Sequence, residues 1–220
     1  MMTLDASGCS MLQRLYCGLN QLVTLDVSGC NALKKLECST NQLTALDLSL
    51  NKSLVWLNCD DNRLTVLDVS KNPALMQLLC ECNQLTAINV SGCVVLRELY
   101  CMGNQLRGKA MDALISNLPI WDSATLLFYL KDAYNYYGIG PDGNVCTKEQ
   151  VQAARAKGWN VYYSEDSKWF PYEGEDAEGL AGVESNDTDG PWYNLGGWKL
   201  GGSPKKGGVY IVNGKKVVVK

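Results

Sequence analysis

The stretch LQRLYCGLNQL, residues 12–22, decides the fold of this chain, because its pattern returns every 21 residues. Five copies of Leu-x-x-Leu-x-Cys-x-x-Asn-x-Leu follow one another between Leu12 and Leu106 without a change of spacing. A fixed short period predicts a stack of similar units, a solenoid, in which each unit contacts only its neighbours. Such a stack typically offers an extended binding surface rather than a catalytic pocket.

Each repeat contains two similar halves, as in Leu12–Asn20 followed by Leu22–Cys30. In both halves apolar residues alternate around a central leucine, which is the period of a strand, and neither half has the length of a typical helix. We therefore predict two short strands per turn and two parallel sheets that face each other across a narrow core. Three ladders of equivalent side chains would fill this core: Leu15, Leu36, Leu57, Leu78 and Leu99; Cys17, Cys38, Cys59, Cys80 and Cys101; and, on the second wall, Leu25, Leu46, Leu67 and Ile88.

A column of asparagines marks one bend of each repeat: Asn20, Asn41, Asn62, Asn83 and Asn104. A bend leaves buried backbone N–H and C=O groups without strand partners, and a short amide can satisfy both kinds of group. The other bend alternates between cysteine and asparagine: Cys9, Cys30, Asn51, Asn72 and Cys93. Both columns are therefore predicted to serve the scaffold.

These motifs resemble the leucine-rich repeat family over residues 4–108, and the 21-residue form is similar to the bacterial subclass called IRREKO. The resemblance implies a right-handed solenoid with a parallel sheet on its concave side. We accordingly predict a leucine-rich repeat solenoid over residues 1–108, mainly β, with parallel sheets on both faces. Because Leu4 already follows the repeat register, we expect the chain to begin inside the array.

A small α/β cap is predicted over residues 109–174, where the repeat pattern ends. Helical spacing runs through residues 108–118 until Pro119 stops it, and Thr147 is a suitable N-cap for a helix over residues 148–157. Strands are predicted at 126–130, 161–163 and 169–172. Similar strand–helix units end bacterial arrays of this kind, so we expect the cap to cover the last apolar face.

The last part of the chain is predicted to hold an acidic linker, residues 175–190, and a β-hairpin tail, residues 191–220, with a turn at Asn213-Gly214. The tail contains Tyr-Asn-Leu-x-Gly and the run KGGVYIVNGKKVVVK, and it resembles the C-terminal sorting domain of type IX secretion cargo. That resemblance implies that the protein is secreted or displayed on the outer cell surface of a Gram-negative bacterium.

Composition excludes several classes of function. The net charge is −3, which argues against a nucleic-acid partner, and histidine, the commonest general base and metal ligand, is absent. No apolar run reaches membrane-spanning length. The cysteine ladder does not predict disulfides or a metal site, because in-register side chains run parallel about 4.8 Å apart and do not converge. We expect no enzyme activity, no cofactor and no bound metal.

Asp5, Asp26, Asp47, Asp68 and Asn89 form a column on the second wall. Stacked carboxylates repel one another, which a bound calcium ion could relieve. The favoured alternative is that they accept hydrogen bonds from nearby serines and threonines and face water.

Outward positions of the first strands are the candidate binding site, because the fold does not require apolar residues there. The candidate residues are Tyr16, Trp56, Asn58, Asp60, Leu79, Glu81, Tyr100 and Met102. Exposed aromatic side chains among polar groups are typical of protein contacts and also of stacking on sugar rings. We predict a protein that mediates protein–protein interaction or adhesion. Its partner would be a protein ligand, for which a host protein is one candidate. The alternatives are a module that binds a surface glycan and a structural spacer that presents other domains.

Overall fold

The computed structural model of the protein describes residues 2–130, 142–165 and 168–175, together with strand segments 192–194, 208–212 and 215–219. The chain divides into two compact units, Met1–Glu173 and Gly174–Lys220. The first unit is a β-solenoid of about five turns followed by two helices and further strands. The second unit holds three strands in its described part.

The strands of the first unit are β1 (Thr3–Asp5), β2 (Arg14–Tyr16), β3 (Thr24–Asp26), β4 (Lys35–Glu37), β5 (Trp56–Asn58), β6 (Val66–Asp68), β7 (Gln77–Leu79), β8 (Ala87–Asn89), β9 (Glu98–Tyr100), β10 (Ala124–Leu130), β11 (Trp159–Glu165) and β12 (Lys168–Pro171). The helices in its described ranges are α1 (Lys109–Asn117) and α2 (Lys148–Ala156). The strands of the second unit are β13 (Trp192–Asn194), β14 (Gly208–Val212) and β15 (Lys215–Val219).

One eight-stranded sheet, here called the long sheet, runs through the first unit in the order β12-β11-β10-β9-β7-β5-β4-β2. Its repeat strands pair in parallel and in register, so that Leu36, Leu57 and Leu78 lie side by side. These leucines and the neighbouring ladder cysteines are fully buried. Each buried leucine stabilises the fold by about 1.5–3 kcal/mol, and only stacking supplies that burial. The predicted core ladders are confirmed, with Leu15 and Leu46 only partly buried against the core.

The asparagine column bonds consecutive turns together. The amide of Asn62 donates to the carbonyls of Cys38 (3.0 Å), Cys59 (3.2 Å) and Asp60 (3.0 Å), and its oxygen accepts from Leu43 N–H (3.0 Å). Each turn therefore supplies the acceptor for a buried N–H group of the turn before it. The predicted scaffold role of this column is confirmed.

The second wall is parallel, as predicted, but it is interrupted rather than continuous. β1 pairs with β3 and β6 with β8, whereas residues 45–48 of the middle turn form no strand. The pairing follows a glycine position. The closing turn carries Gly29 or Gly92 in the two paired steps, and a Cβ atom there would overlap the carbonyl oxygen of Ser7 or Ser70.

Leu50 and Lys71 occupy this glycine position in the two steps where the wall is open. Because their side chains cannot fit against the preceding turn as glycine does, the strands of this wall stay apart. The neighbouring residue completes the arrangement. At a paired step Cys30 donates from its thiol to Ala6 O (3.2 Å), whereas at an open step Asn51 bridges the carbonyls of Val27 and Cys30.

A left-handed backbone position recurs in every turn, at Leu19, Thr40, Asp61, Cys82 and Gly103, with φ between 49° and 69°. This conformation is rare for residues other than glycine, and most of all for a β-branched residue such as Thr40. Cys82 is the buried member of this set that carries a thiol, with an exposure of 3%.

The cap continues the repeat architecture with a different sequence. β10 pairs with β9 so that Leu126 extends the leucine ladder. Asn144 extends the asparagine column, because it accepts from Leu106 N–H (2.8 Å) and donates to the carbonyls of Cys101 (2.8 Å) and Phe128 (2.9 Å). Both predicted helices and all three predicted strands of this region are present, within one or two residues at most ends.

The predicted N-cap of the second helix is confirmed, since Thr147 and Gln150 form a capping box at the start of α2. In the second unit β13, β14 and β15 form an antiparallel sheet. The predicted turn at 213–214 and most of the predicted linker, residues 176–190, lie outside the described residues. The boundaries of the predicted domains stay predictions.

Candidate interaction surface

The outward face of the long sheet carries the sequence-predicted site residues. Glu37, Asn58, Leu79 and Tyr100 are register neighbours on successive strands, and Trp56 belongs to the adjacent row. Tyr16 lies on the last strand of the sheet and is 62% exposed. Asp60, Glu81 and Met102 follow two residues behind the same register row. The structure therefore brings the predicted residues to one face, although Tyr16 lies four strands from Tyr100.

An aromatic patch, formed by Tyr100, Leu127, Tyr162 and Trp169, occupies the part of this face where the repeats meet the cap. Trp169 is 48% exposed, and its ring centroid lies 5.4 Å from that of Tyr100 and 6.1 Å from that of Tyr162. Leu127 is the register partner of both tyrosines, so it points to the same face, yet it is only 1% exposed. The aromatic rings therefore cover the buried side chain of Leu127 on the side of the sheet opposite to the core.

The site residues predicted from the sequence do not include Leu127, Tyr162 and Trp169, because these three belong to the cap and not to the repeats. Strand alternation already places Tyr162 on the face opposite to Val161, which is buried in the core. The missing information is the parallel pairing of β10 with β9, which carries the outward face of the repeats into the cap.

Asp60 and Glu81 form a carboxyl pair beside this patch. Glu81 N–H donates to Asp60 Oδ1 (3.1 Å), and the Asp60 N–H donates to Asn58 Oδ1 (3.0 Å). Glu81 is only 8% exposed, and its Oε2 is buried without a hydrogen-bond partner. The sequence predicts an exposed Glu81, so this burial is an unexpected feature of the site.

The charged groups that act on the pKa values of the Asp60–Glu81 pair are all carboxylates. Burial, followed by a hydrogen bond to Asp60 and the charge of Asp60, raises the pKa of Glu81 well above its usual value. Burial also raises the pKa of Asp60, against the lowering effect of its hydrogen bonds with Glu81, while Glu37 and Asp61 add to the increase. Two further carboxylates add negative charge nearby, Asp142 close to Cys82 and Glu98 close to Tyr100. The two carboxyls therefore hold a shared proton more readily than isolated carboxyls do.

The cysteine ladder has the character of core packing. The thiols of Cys17, Cys59 and Cys80 donate to the carbonyls of the following turn at 3.3–3.5 Å. Burial raises the pKa of Cys17 to about 11, and it raises that of Cys59 well above the usual value. A thiol held protonated in this way is neither a nucleophile nor a metal ligand at neutral pH. In the described ranges, no three metal-ligating side chains converge.

The second wall offers different chemistry. Each residue of its aspartate column accepts a hydrogen bond from the serine N–H two residues later, as Asp26 Oδ1 does from Ser28 at 2.9 Å. This confirms the hydrogen-bonded alternative for the column. A cleft of about 460 Å³ lies at the open step, between segments 44–49 and 65–71.

Comparison with solved structures finds a match to the functional domain of InlJ from Listeria monocytogenes, a leucine-rich repeat protein whose domain includes a cysteine ladder. The two chains are 31% identical, with a TM-score of 0.55. The match covers 73% of this chain and 31% of the InlJ chain, so the protein corresponds to less than a third of its neighbour. No protein-family model matches the sequence, and the comparison with curated proteins finds no match.

The predicted leucine-rich repeat solenoid is confirmed by this likeness together with the observed parallel sheets. The cysteine ladder of this chain has a named counterpart in InlJ. The IRREKO subclass and the sorting signal stay predictions. No helix within the described ranges is both long and apolar enough to cross a membrane.

Proposed function

We propose that the protein is a non-catalytic interaction protein that binds a protein ligand on the outward face of its long sheet, and that it acts in adhesion at the cell surface. The observation that carries this proposal is the aromatic patch. A half-exposed tryptophan braced by two tyrosines over a buried leucine has the composition of an interface centre, where a few aromatic anchors supply most of the binding energy.

Rigidity supports the same assignment. Trp169 is held edge-on to Tyr100, and its strand pairs with β11 through four register partners, 162–165 with 168–171. An anchor that is already ordered loses less conformational entropy on binding than a mobile one. The neighbouring candidates Leu79, Asn58 and Met102 are partly exposed and would form the surrounding rim.

The test is selection of a phage-displayed random peptide library on the whole chain, followed by affinity measurement on variants. Trp169→Ala combined with Tyr100→Ala should weaken the selected peptides by about 30-fold or more, because truncating a central aromatic anchor removes about 2 kcal/mol or more. Phe170→Ala is the matched control. Phe170 lies on the same strand but packs on Tyr163, its register partner on the other side of the sheet.

Peptides that bind the double variant as tightly as the original chain would contradict the proposal, and so would peptides that lose affinity equally in the Phe170→Ala control. Circular dichroism of each variant separates a lost contact from a lost fold. The spacer alternative predicts that no peptide is retained in a saturable manner.

A carbohydrate ligand is the second candidate, favoured by the partial exposure of Trp169. Aromatic faces stack on sugar rings as well as on apolar side chains. A glycan array probed with the same double variant distinguishes the two. Retention of particular glycans that depends on Trp169, with no selected peptide, would replace the protein ligand by a surface glycan.

We also propose that the protein is exported to the outer surface of a Gram-negative bacterium through its tail, residues 191–220. The support is the sequence resemblance of this tail and its antiparallel strands β13–β15. Expression of the complete gene in a bacterium with a type IX system, with and without these residues, tests it. Loss of surface display on deletion is expected, and unchanged display would refute the sorting role.

A further inference from the structure

We infer that the Asp60–Glu81 carboxyl pair, together with the adjoining aromatic patch, is the recognition site for an arginine side chain of the protein ligand. The inference rests on the proposed function and names the chemistry of the partner. It combines two independent features of the same face, an unpartnered buried carboxyl oxygen and a row of apolar and aromatic surfaces.

The carboxyl pair lacks a positive counterpart. Glu81 Oε2 is buried without a hydrogen-bond partner, and neither carboxyl of the pair forms a salt bridge among the described residues. By contrast, Glu37 is fully engaged, since its two oxygens accept from Ser39 N–H (3.0 Å) and Gly18 N–H (3.1 Å). A buried acceptor left unpaired destabilises a fold, and a guanidinium supplies donors in the geometry that a carboxyl accepts.

The neighbouring surface suits the remainder of the same side chain. Glu81 follows Leu79 by two residues, and Leu79 is the register partner of Tyr100. On a sheet these steps are about 6.6 Å along the strand and about 4.8 Å across it. A cation seated at Asp60 and Glu81 would therefore lie within one side-chain length of Leu79 and Tyr100. Burial, then the negative charges of Glu98 and Glu81, raise the pKa of Tyr100, so Glu81 and Tyr100 are electrostatic neighbours.

Arginine fits both parts of this site. Its aliphatic stem can pack on Leu79, while its planar head bonds a carboxyl in a bidentate manner and stacks on aromatic rings. Lysine offers the same charge but neither the fork nor the flat face. The part-exposed Asp60 provides the entrance, and Glu81 provides the deeper acceptor.

The experiment uses the whole chain and two small probes, acetyl-arginine amide and its neutral isostere acetyl-citrulline amide. Carbon-13 NMR of the Asp60 and Glu81 carboxyl groups reports binding at the site, with Kd values on the order of millimolar for a single side chain. A saturable shift with the arginine probe, and none with citrulline, is expected. The amide of Nα-acetyl-lysine, whose side chain keeps its charge, should bind at least threefold more weakly than the arginine probe.

Asp60→Asn combined with Glu81→Gln keeps the shapes and removes both acidic groups, so arginine-induced shifts of the Trp169 indole should weaken at least tenfold. Asp26→Asn, an exposed carboxyl of the second wall, is the matched control and should change nothing. Equal shifts with citrulline, or a Trp169 response that survives the double variant, would overturn the inference. If peptides still require Trp169 while the arginine probe fails, the cation site is wrong and the interaction surface stands.

Discussion

The asparagine column permits a quantitative prediction, because equivalent residues make different numbers of hydrogen bonds. Asn62→Ala removes one acceptor and three donor contacts at once. The carbonyls of Cys38, Cys59 and Asp60 each keep another partner, from Asn41, Asn83 and Thr40 respectively. The N–H of Leu43 has only Asn62 Oδ1, at 3.0 Å, and it is buried.

The expected loss follows from these contacts. One orphaned buried donor costs about 1–3 kcal/mol, and each of the three lost bonds to a still-partnered carbonyl costs about 0.5–1 kcal/mol. Asn62→Ala should therefore destabilise the array by about 2.5–6 kcal/mol. Asn20→Ala is the matched control, since Asn20 is exposed and donates only to the carbonyls of Cys17 (3.1 Å) and Gly18 (2.9 Å). Its substitution should cost about 1 kcal/mol or less.

Urea denaturation of both variants gives the difference in unfolding free energy, and hydrogen exchange assigns it to an atom. The amide of Leu43 should lose protection in Asn62→Ala, while the amide of Leu64, bonded to Asn83, should keep it. Because repeat arrays can unfold in parts, the exchange measurement is the decisive one. Equal denaturation midpoints for the two variants, or an unchanged Leu43 amide, would refute the reasoning.

Three further predictions concern the wall, the carboxyl pair and the thiols. Gly92→Ala should destabilise by about 1–3 kcal/mol because its Cβ would overlap Ser70 O, whereas Gly8→Ala, with open space around it, should have little effect on the denaturation midpoint. The raised pKa of Glu81 means that the folded state binds a proton more tightly than the unfolded state. Stability from this group is therefore complete below its ordinary pKa of 4.5 and is lost as the pH rises through the folded pKa, so Glu81→Gln should flatten the fall in stability measured as the pH is raised above 4.5. Iodoacetamide should alkylate the native chain only at Cys9, the one exposed cysteine, and all ten cysteines after unfolding, as mass spectrometry would count them.

The repeat scaffold is predictable from the sequence because its period fixes which residues become neighbours. Once Leu57 is one period from Leu36 and Leu78, their burial in one ladder follows from strand alternation alone. The roles of the asparagine and cysteine columns follow in the same way, since a bend has only a few means of satisfying its backbone. These inferences need no knowledge of distances between turns.

The interrupted second wall depends on such distances and is therefore missed. Leu50 and Lys71 are ordinary residues in the sequence, and nothing local marks them as obstacles to pairing. Their effect arises only because Gly29 and Gly92 approach serine carbonyls of the preceding turn so closely. The burial of Glu81 is missed for a similar reason, as alternation gives the direction of a side chain but not what covers it.

The aromatic patch is missed because it is formed by two different parts of the chain. Tyr100 is periodic, but Trp169 reaches it from β12, three strands away in the sheet, and the intervening segments have no repeat. The same circumstance hid Asn144, which continues the asparagine column without its spacing. A period predicts contacts within the array, whereas contacts between the array and its cap require the fold.

The two walls of the solenoid are constrained differently, and this difference determines on which wall amino-acid substitutions can change the spacing between strands. On the long sheet the pairing is unbroken from β2 to β12, so the carboxyl pair and the aromatic patch keep a fixed separation. On the second wall, glycine followed by cysteine closes a step, and a larger residue followed by asparagine opens it. Substitutions on the second wall can therefore change the spacing of its strands without breaking the hydrogen bonds of the long sheet. Because Tyr100 belongs to the last of the five repeats and Trp169 to the cap, the proposed binding position is set by the contact between the array and its cap.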